Sequence, residues 1–157
     1  MKPGIGITDK NRQAVTVELA KLLADEYVLY TKTRNAHWNI EGPDFFEKHK
    51  FFESQFEQLD DIIDSVAERI RTLGHYTSSS LKSFLEITHL SEDAPEKNTS
   101  QAHIRSLLSD HESIIIHCRE NIHQIAIEYN DFGTSDFITG LMETHEKMAF
   151  FLRSHLK

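Results

Sequence analysis

Cysteine is nearly absent from this 157-residue chain: there is one, Cys118. A lone thiol cannot close an internal disulfide, so the fold has to rest on a buried apolar core, and a reducing cytoplasm suits such a chain. Proline and glycine are also scarce, at 3 and 6 residues, which leaves long stretches free of the usual helix breakers. No apolar run approaches the roughly 20 residues needed to span a bilayer. The opening Met1-Lys2-Pro3-Gly4-Ile5-Gly6 has no apolar h-region, so neither membrane insertion nor secretion is expected. Positive charge is the minority sign, and the net charge of −8 disfavours a surface that grips nucleic acid over its whole extent while favouring attraction of cations.

What is present is helical periodicity. After Thr8 and Asp9, both suited to an N-cap, Val15, Leu19, Leu22, Leu23, Leu29 and Tyr30 recur at helical spacing up to the break at Asn39–Gly42. Pro43 is expected in the first turn of a second helix over 43–73, whose stripe runs from Phe45 through Phe52, Leu59 and Val66 to Leu73, with Gly74 as its C′ residue. Residues 75–97 read as a crossover containing a short helix at Leu81–Ile87. A third helix follows Asn98-Thr99-Ser100 and carries Ile104, Leu107, Ile114, Cys118 and Ile125; Gly133 is expected to end it, with Thr134 or Ser135 capping a fourth. Cys118 falls on the third stripe and is expected in the core. The pattern predicts an all-α, ferritin-like four-helix bundle with a short helix in the long crossover between helices 2 and 3. A single domain over 1–157 is expected, with 1–8 a short flexible N-terminal tail.

Five residues carry the chemistry: His37, His49, Glu53, Asp64 and Glu68. At about 1.5 Å per residue His49 and Glu68 lie roughly 28 Å apart on one helix, too far to share an ion. Two copies of that helix running antiparallel across a two-fold axis remove the difficulty. His49 meets Glu68 of a second copy when the axis crosses midway between them, at position 58.5, and Glu53 with Asp64 gives the same midpoint. At about 100° per residue, with His49 as zero, Glu53, Asp64 and Glu68 fall near 40°, 60° and 100°, a continuous polar edge beside an apolar stripe centred near −60°. Asp60, near 20° on that count, stays a further candidate. The spacing thus predicts a site shared between two chains.

The same residues carry a resemblance. His37-Trp38-Asn39-Ile40-Glu41-Gly42, then Phe45, His49 and Glu53, then Asp64-Ser65-Val66-Ala67-Glu68-Arg69-Ile70 resemble the ferroxidase signature of the Dps family, the starvation-induced miniferritins. The resemblance implies a dodecamer that oxidises Fe(II) with hydrogen peroxide or dioxygen at two-fold interfaces and stores ferric mineral in a hollow shell. It assigns His37, His49 and Glu53 to one subunit and Asp64 and Glu68 to its neighbour. Glu53 stands where aspartate is common and reaches one methylene further, which affects a second iron position. Imidazole with carboxylate suits Fe2+ and tolerates Fe3+, whereas a thiolate cage would indicate structural zinc. Trp38 is expected as an interface aromatic.

Competing signals are weaker. Two Glu-x-x-His motifs, Glu86–His89 and Glu120–His123, resemble those of intrabundle di-iron sites, but the first lies in the crossover and Glu120 falls opposite the buried face. His111 is expected to be buried and hydrogen-bonded, and His75, His103, His117 and His155 to occupy surface or loop positions; His145 stays open. The resemblance implies pores between subunits near the start of the fourth helix; Asp131 and Asp136 flank that start and are candidates to line one, with capping by Asp136 as the structural alternative. A DNA-binding nucleoid role is the alternative function. Lys2, Lys10 and Arg12 give the amino end a small positive excess and the carboxyl end has no basic extension, so DNA contact is expected to be weak.

Overall fold

A computed structural model describes residues 3–156, and the expected segments Met1–Lys2, including the basic Lys2, and Lys157 lie outside the described residues. Four long helices form the bundle: α1 Asp9–Asn39, α2 Phe45–Thr72, α4 Ser100–Ile127 and α5 Phe132–Ser154, with α3 Leu81–Ile87 in the crossover. α1 packs on α2 and α4 on α5, while α3 lies against α1. The described residues contain no strand, only one isolated parallel bridge, Glu41 to Thr99, which ties the α1–α2 turn to the start of α4. No helix among them is long and apolar enough to cross a membrane.

Capping fixes the ends. The Thr8 side chain accepts from the Asn11 N–H, Thr99 does the same for Ala102, and Ser80 makes a reciprocal capping box with Ser83. Gly74 ends α2 at φ +88°, and a Cβ there would stand 2.6 Å from Pro3 Cδ, so both backbone and packing demand glycine. Pro3 and Ile7 also accept hydrogen bonds from the buried Arg12 guanidinium, which fastens the segment before α1 to the bundle.

Three boundaries differ from the sequence reading. Pro43 precedes α2 instead of entering its first turn, because Gly42 to Phe45 form a turn closed by the Phe45 N–H on the Gly42 carbonyl. Gly133 does not end the third long helix: α4 stops at Ile127, and the chain reverses through Asn130 at φ +55°, a conformation asparagine tolerates. Asp131, not Thr134 or Ser135, caps α5. Its carboxylate accepts from the Thr134 N–H at 2.8 Å and hydroxyl at 2.6 Å, with Arg69 beside it. Being buried there, Asp131 cannot line an open pore, whereas Asp136 is exposed.

One apolar cluster, from Val15 through Phe52, Leu59, Ile104 and Ile114 to Leu152, fills the bundle. Cys118 belongs to it; burial pushes its thiol up to about 12, so it is inert packing.

Candidate metal centre

The antiparallel turn between α1 and α2 brings His37, in the last turn of α1, against His49, in the second turn of α2. Their rings stack with centroids 3.7 Å apart. Each ring is tied to the other residue's main chain: His37 Nδ1 lies 2.8 Å from the His49 carbonyl oxygen, and His49 Nδ1 lies 2.8 Å from that of His37. A carbonyl oxygen can only accept, so both Nδ1 atoms carry the hydrogen and both Nε2 atoms keep a free lone pair. This is the outer-shell arrangement that fixes a ligating imidazole's tautomer and orientation.

Aromatic groups wall the pair. Phe56 meets His37 edge-on at 5.1 Å and Phe45 lies 5.2 Å from His49. The Arg34 guanidinium stacks over Phe56 at 4.3 Å and Trp38 at 5.2 Å. Trp38, Phe45 and Phe46 are exposed on the single chain, giving an apolar rim to a polar patch. Glu53, one turn beyond His49, meets Lys50 Nζ at 2.6 Å. That hydrogen bond, together with the Lys50 charge, holds its carboxyl below the usual range.

The chain does not bring Asp64 and Glu68 to this pair. They lie on exposed turns of α2, 15 and 19 residues past His49, about 22 and 28 Å away along the axis. As the side chains stand, no group of three His, Cys, Asp or Glu among the described residues is placed to hold an ion within one chain. The rival Glu-x-x-His motifs do not assemble either: Glu120 and His123 are exposed, and Glu86 faces Lys82.

A second histidine pair lies inside the bundle, and the sequence reading resolved only half of it. His111 is buried as expected, its Nδ1 2.9 Å from Nδ1 of His145; His145 is fully buried, with Nε2 2.8 Å from Glu26 Oε1. Burial, and then the neighbouring His145, holds His111 well below its ordinary range. Glu26 and Asp25 were overlooked, although both interrupt the apolar stripe of α1 between Leu23 and Leu29, which was the available signal. His103, expected at the surface, is buried instead, edge-on to Phe52. Lys32, also buried, pairs with Asp110 at 2.6 Å.

Fold and donor chemistry together define a ferritin-like helical bundle, and a family model described as a ferritin-like domain matches residues 17–157. The chain is 41% identical to an uncharacterized low temperature-induced protein of Nostoc, over 98% of this chain and 86% of that one. It is 34% identical to DNA protection during starvation protein 2 of Bacillus anthracis, over 93% and 98%. The crystal structure of a Dps protein from Vibrio cholerae, described as a member of a broad superfamily of ferritin-like diiron-carboxylate proteins, superposes with a TM-score of 0.92 at 30% identity, covering 100% of this chain and 98% of that one. The chain belongs to the ferritin-like family and, within it, to the Dps proteins.

Proposed function

We propose that this protein is a ferroxidase and iron store whose substrate is Fe2+, oxidised at sites that two copies of the chain complete together. The observation that carries the reading is the reciprocal lock of His37 and His49, which leaves an Nε2 lone pair on each of two stacked rings, the first buried and the second half-buried on the single chain. Two imidazoles alone hold Fe2+ poorly. Asp64 and Glu68, exposed on the same helix and in register about position 58.5, supply carboxylates when a second α2 packs antiparallel. The exposed aromatic rim of Trp38, Phe45 and Phe46 gives such a contact apolar area to bury.

In this reading His37, His49 and Glu68 of a second copy bind the first Fe2+, and Asp64 of that copy helps fix it. Glu53 takes a second, weaker ion once Lys50 releases it. Two Fe2+ then give two electrons to one hydrogen peroxide, which takes up two protons and leaves as two waters; dioxygen is the alternative oxidant. Carboxylates stabilise the harder Fe3+ and release it for storage as mineral. The Dps likeness supports assembly as a cytoplasmic dodecamer with an interior store. Protection of DNA then comes from removing iron and peroxide, since repetition of a −8 chain repels phosphate.

The test is anaerobic Fe2+ titration of the assembled protein, followed by separate additions of peroxide and dioxygen. Saturable binding and rapid peroxide-dependent oxidation are expected, both lost in His49→Ala and in Glu68→Ala while the assembly persists. Wild-type single-turnover kinetics in both variants would remove the assignment.

A further inference from the structure

The Glu86–His89 motif fails as a pair, but His89 finds other partners. Asp25 of α1 is 1% exposed and accepts three hydrogen bonds: from the Thr88 hydroxyl at 2.6 Å, the His89 N–H at 2.7 Å and the His89 ring Nδ1 at 3.1 Å. A carboxylate held this way directs the ring hydrogen of a neutral His89 to Nδ1 and leaves Nε2 as a lone pair. The His117 ring of α4 lies with its centroid 4.4 Å from that of His89. Glu18, two turns before Asp25 on α1, places Oε2 4.0 Å from His117 Nε2.

We propose that His89, His117 and Glu18 form a second cation site for a divalent first-row transition ion of the Zn2+ type, with buried Asp25 orienting His89 from behind. Two imidazoles and a carboxylate, open to water on one side, are a donor set such ions accept. The carboxylate–histidine pair is the usual outer-shell support. If Asp25 served only to staple the crossover to α1, its bonds to Thr88 and the His89 N–H would suffice. The third bond, from the His89 ring, goes beyond that need, and His117, in contact with that ring and near Glu18, otherwise has, among the described residues, only the Asn121 amide at 3.4 and 3.5 Å from its ring nitrogens.

Closure needs a small rearrangement. Lys21 Nζ now holds both Glu18 oxygens, at 3.0 and 3.2 Å. A partly exposed i,i+3 pair of this kind is weak, so a divalent ion can displace the lysine. His89, with 43% of its side chain exposed, has room to adjust.

The reading does not depend on ferroxidase activity, and its test silences that site first. Full-length assembled protein carrying His49→Ala and Glu68→Ala is titrated with Zn2+ by calorimetry. One ion per chain is expected to bind, with affinity reduced at least ~10-fold by His89→Gln or His117→Gln. Glu18→Gln should weaken binding and Lys21→Met should strengthen it. Absence of saturable Zn2+ binding in the silenced background, or binding that neither histidine substitution alters, would overturn the proposal. Should a histidine variant lose helix content, the two α1 variants decide with Co2+ as a visible probe. Opposite shifts in affinity support the site, and unchanged ligand-field spectra in both exclude it.

Discussion

Two histidine pairs in one bundle meet opposite fates. His37 and His49 point each Nδ1 at a main-chain oxygen, so their hydrogen bonds are satisfied locally and both Nε2 atoms stay available. His111 and His145 point Nδ1 at each other, and His145 gives its second nitrogen to Glu26. Because the Glu26 carboxylate accepts, a neutral His145 donates from Nε2 and receives from His111. That chain engages both nitrogens of His145, so His145 has no lone pair left to ligate; it is a polar network in the core. Ring proximity therefore does not distinguish a ligand pair from a structural one. What does is whether one nitrogen of each ring is held by backbone with the other left free, or the nitrogens are taken up by other side chains.

The largest effect should come from breaking the sealed pair. Glu26→Ala strips the acceptor from His145 where both side chains are fully buried, leaving a buried N–H unpaired, and about 1–3 kcal/mol of stability should be lost. A denaturant midpoint measured on wild type and variant reports it, and a loss below about 1 kcal/mol would mean the pair contributes no more than an exposed one. Breaking the open pair should do the reverse. His37→Ala should cost little stability but slow Fe2+ oxidation about 100-fold, or ~2.7 kcal/mol of activation free energy. Stopped-flow oxidation beside thermal unfolding separates the two quantities.

A smaller effect follows from protons. His111 is held below the 6.5 of an ordinary histidine, first by burial and then by His145, so below pH 6.5 the unfolded chain binds a proton that the folded chain refuses. Its contribution is complete above pH 6.5 and falls as pH drops toward the lowered folded value, by up to about 1.4 kcal/mol per pH unit. His103 and His117 are also lowered, by burial first, and add to the same slope. Replacing His111 with Gln should flatten the stability profile between pH 6.5 and 5; an unchanged slope would assign the acid sensitivity to other groups.

The bundle was legible because its signals are local. Thr8, Thr99 and Gly74 act where their neighbours in sequence place them, and Leu81–Ile87 is helical as its apolar pattern requires. Asp131 was misjudged because Gly133 is the stronger stop signal, yet Asn130 makes the left-handed turn and leaves the aspartate free to cap. Asp25, Glu26 and His145 needed more than periodicity. A polar residue on an apolar stripe shows where a partner is required, but here the partner is 119 residues away for Glu26 and in the crossover for Asp25. At the candidate site, helical spacing put His49, Glu53, Asp64 and Glu68 on one edge, and His37 joined them through the resemblance to the Dps signature. The crossed Nδ1–carbonyl bonds that aim their free nitrogens depend on how tightly the 40–44 turn folds, which the residue types alone do not set.

The subtlest way to sharpen the comparison lies at Lys50. Its ammonium meets Glu53 at 2.6 Å, with 56% of the lysine side chain and 33% of the glutamate side chain exposed. In the proposed centre Glu53 must leave Lys50 to reach a second Fe2+, so the lysine competes with the ion. Lys50→Met removes that competition without touching the locked histidines and should tighten the second Fe2+ by a few-fold, since an exposed ion pair contributes roughly 0–1 kcal/mol. The first binding step should keep its affinity. Anaerobic Fe2+ titration resolves the two steps: a gain confined to the second assigns Glu53 to the weaker ion. An equal gain in both would mean that Lys50 acts through the general field around the histidine pair, and no gain in either would remove Glu53 from the ligand set.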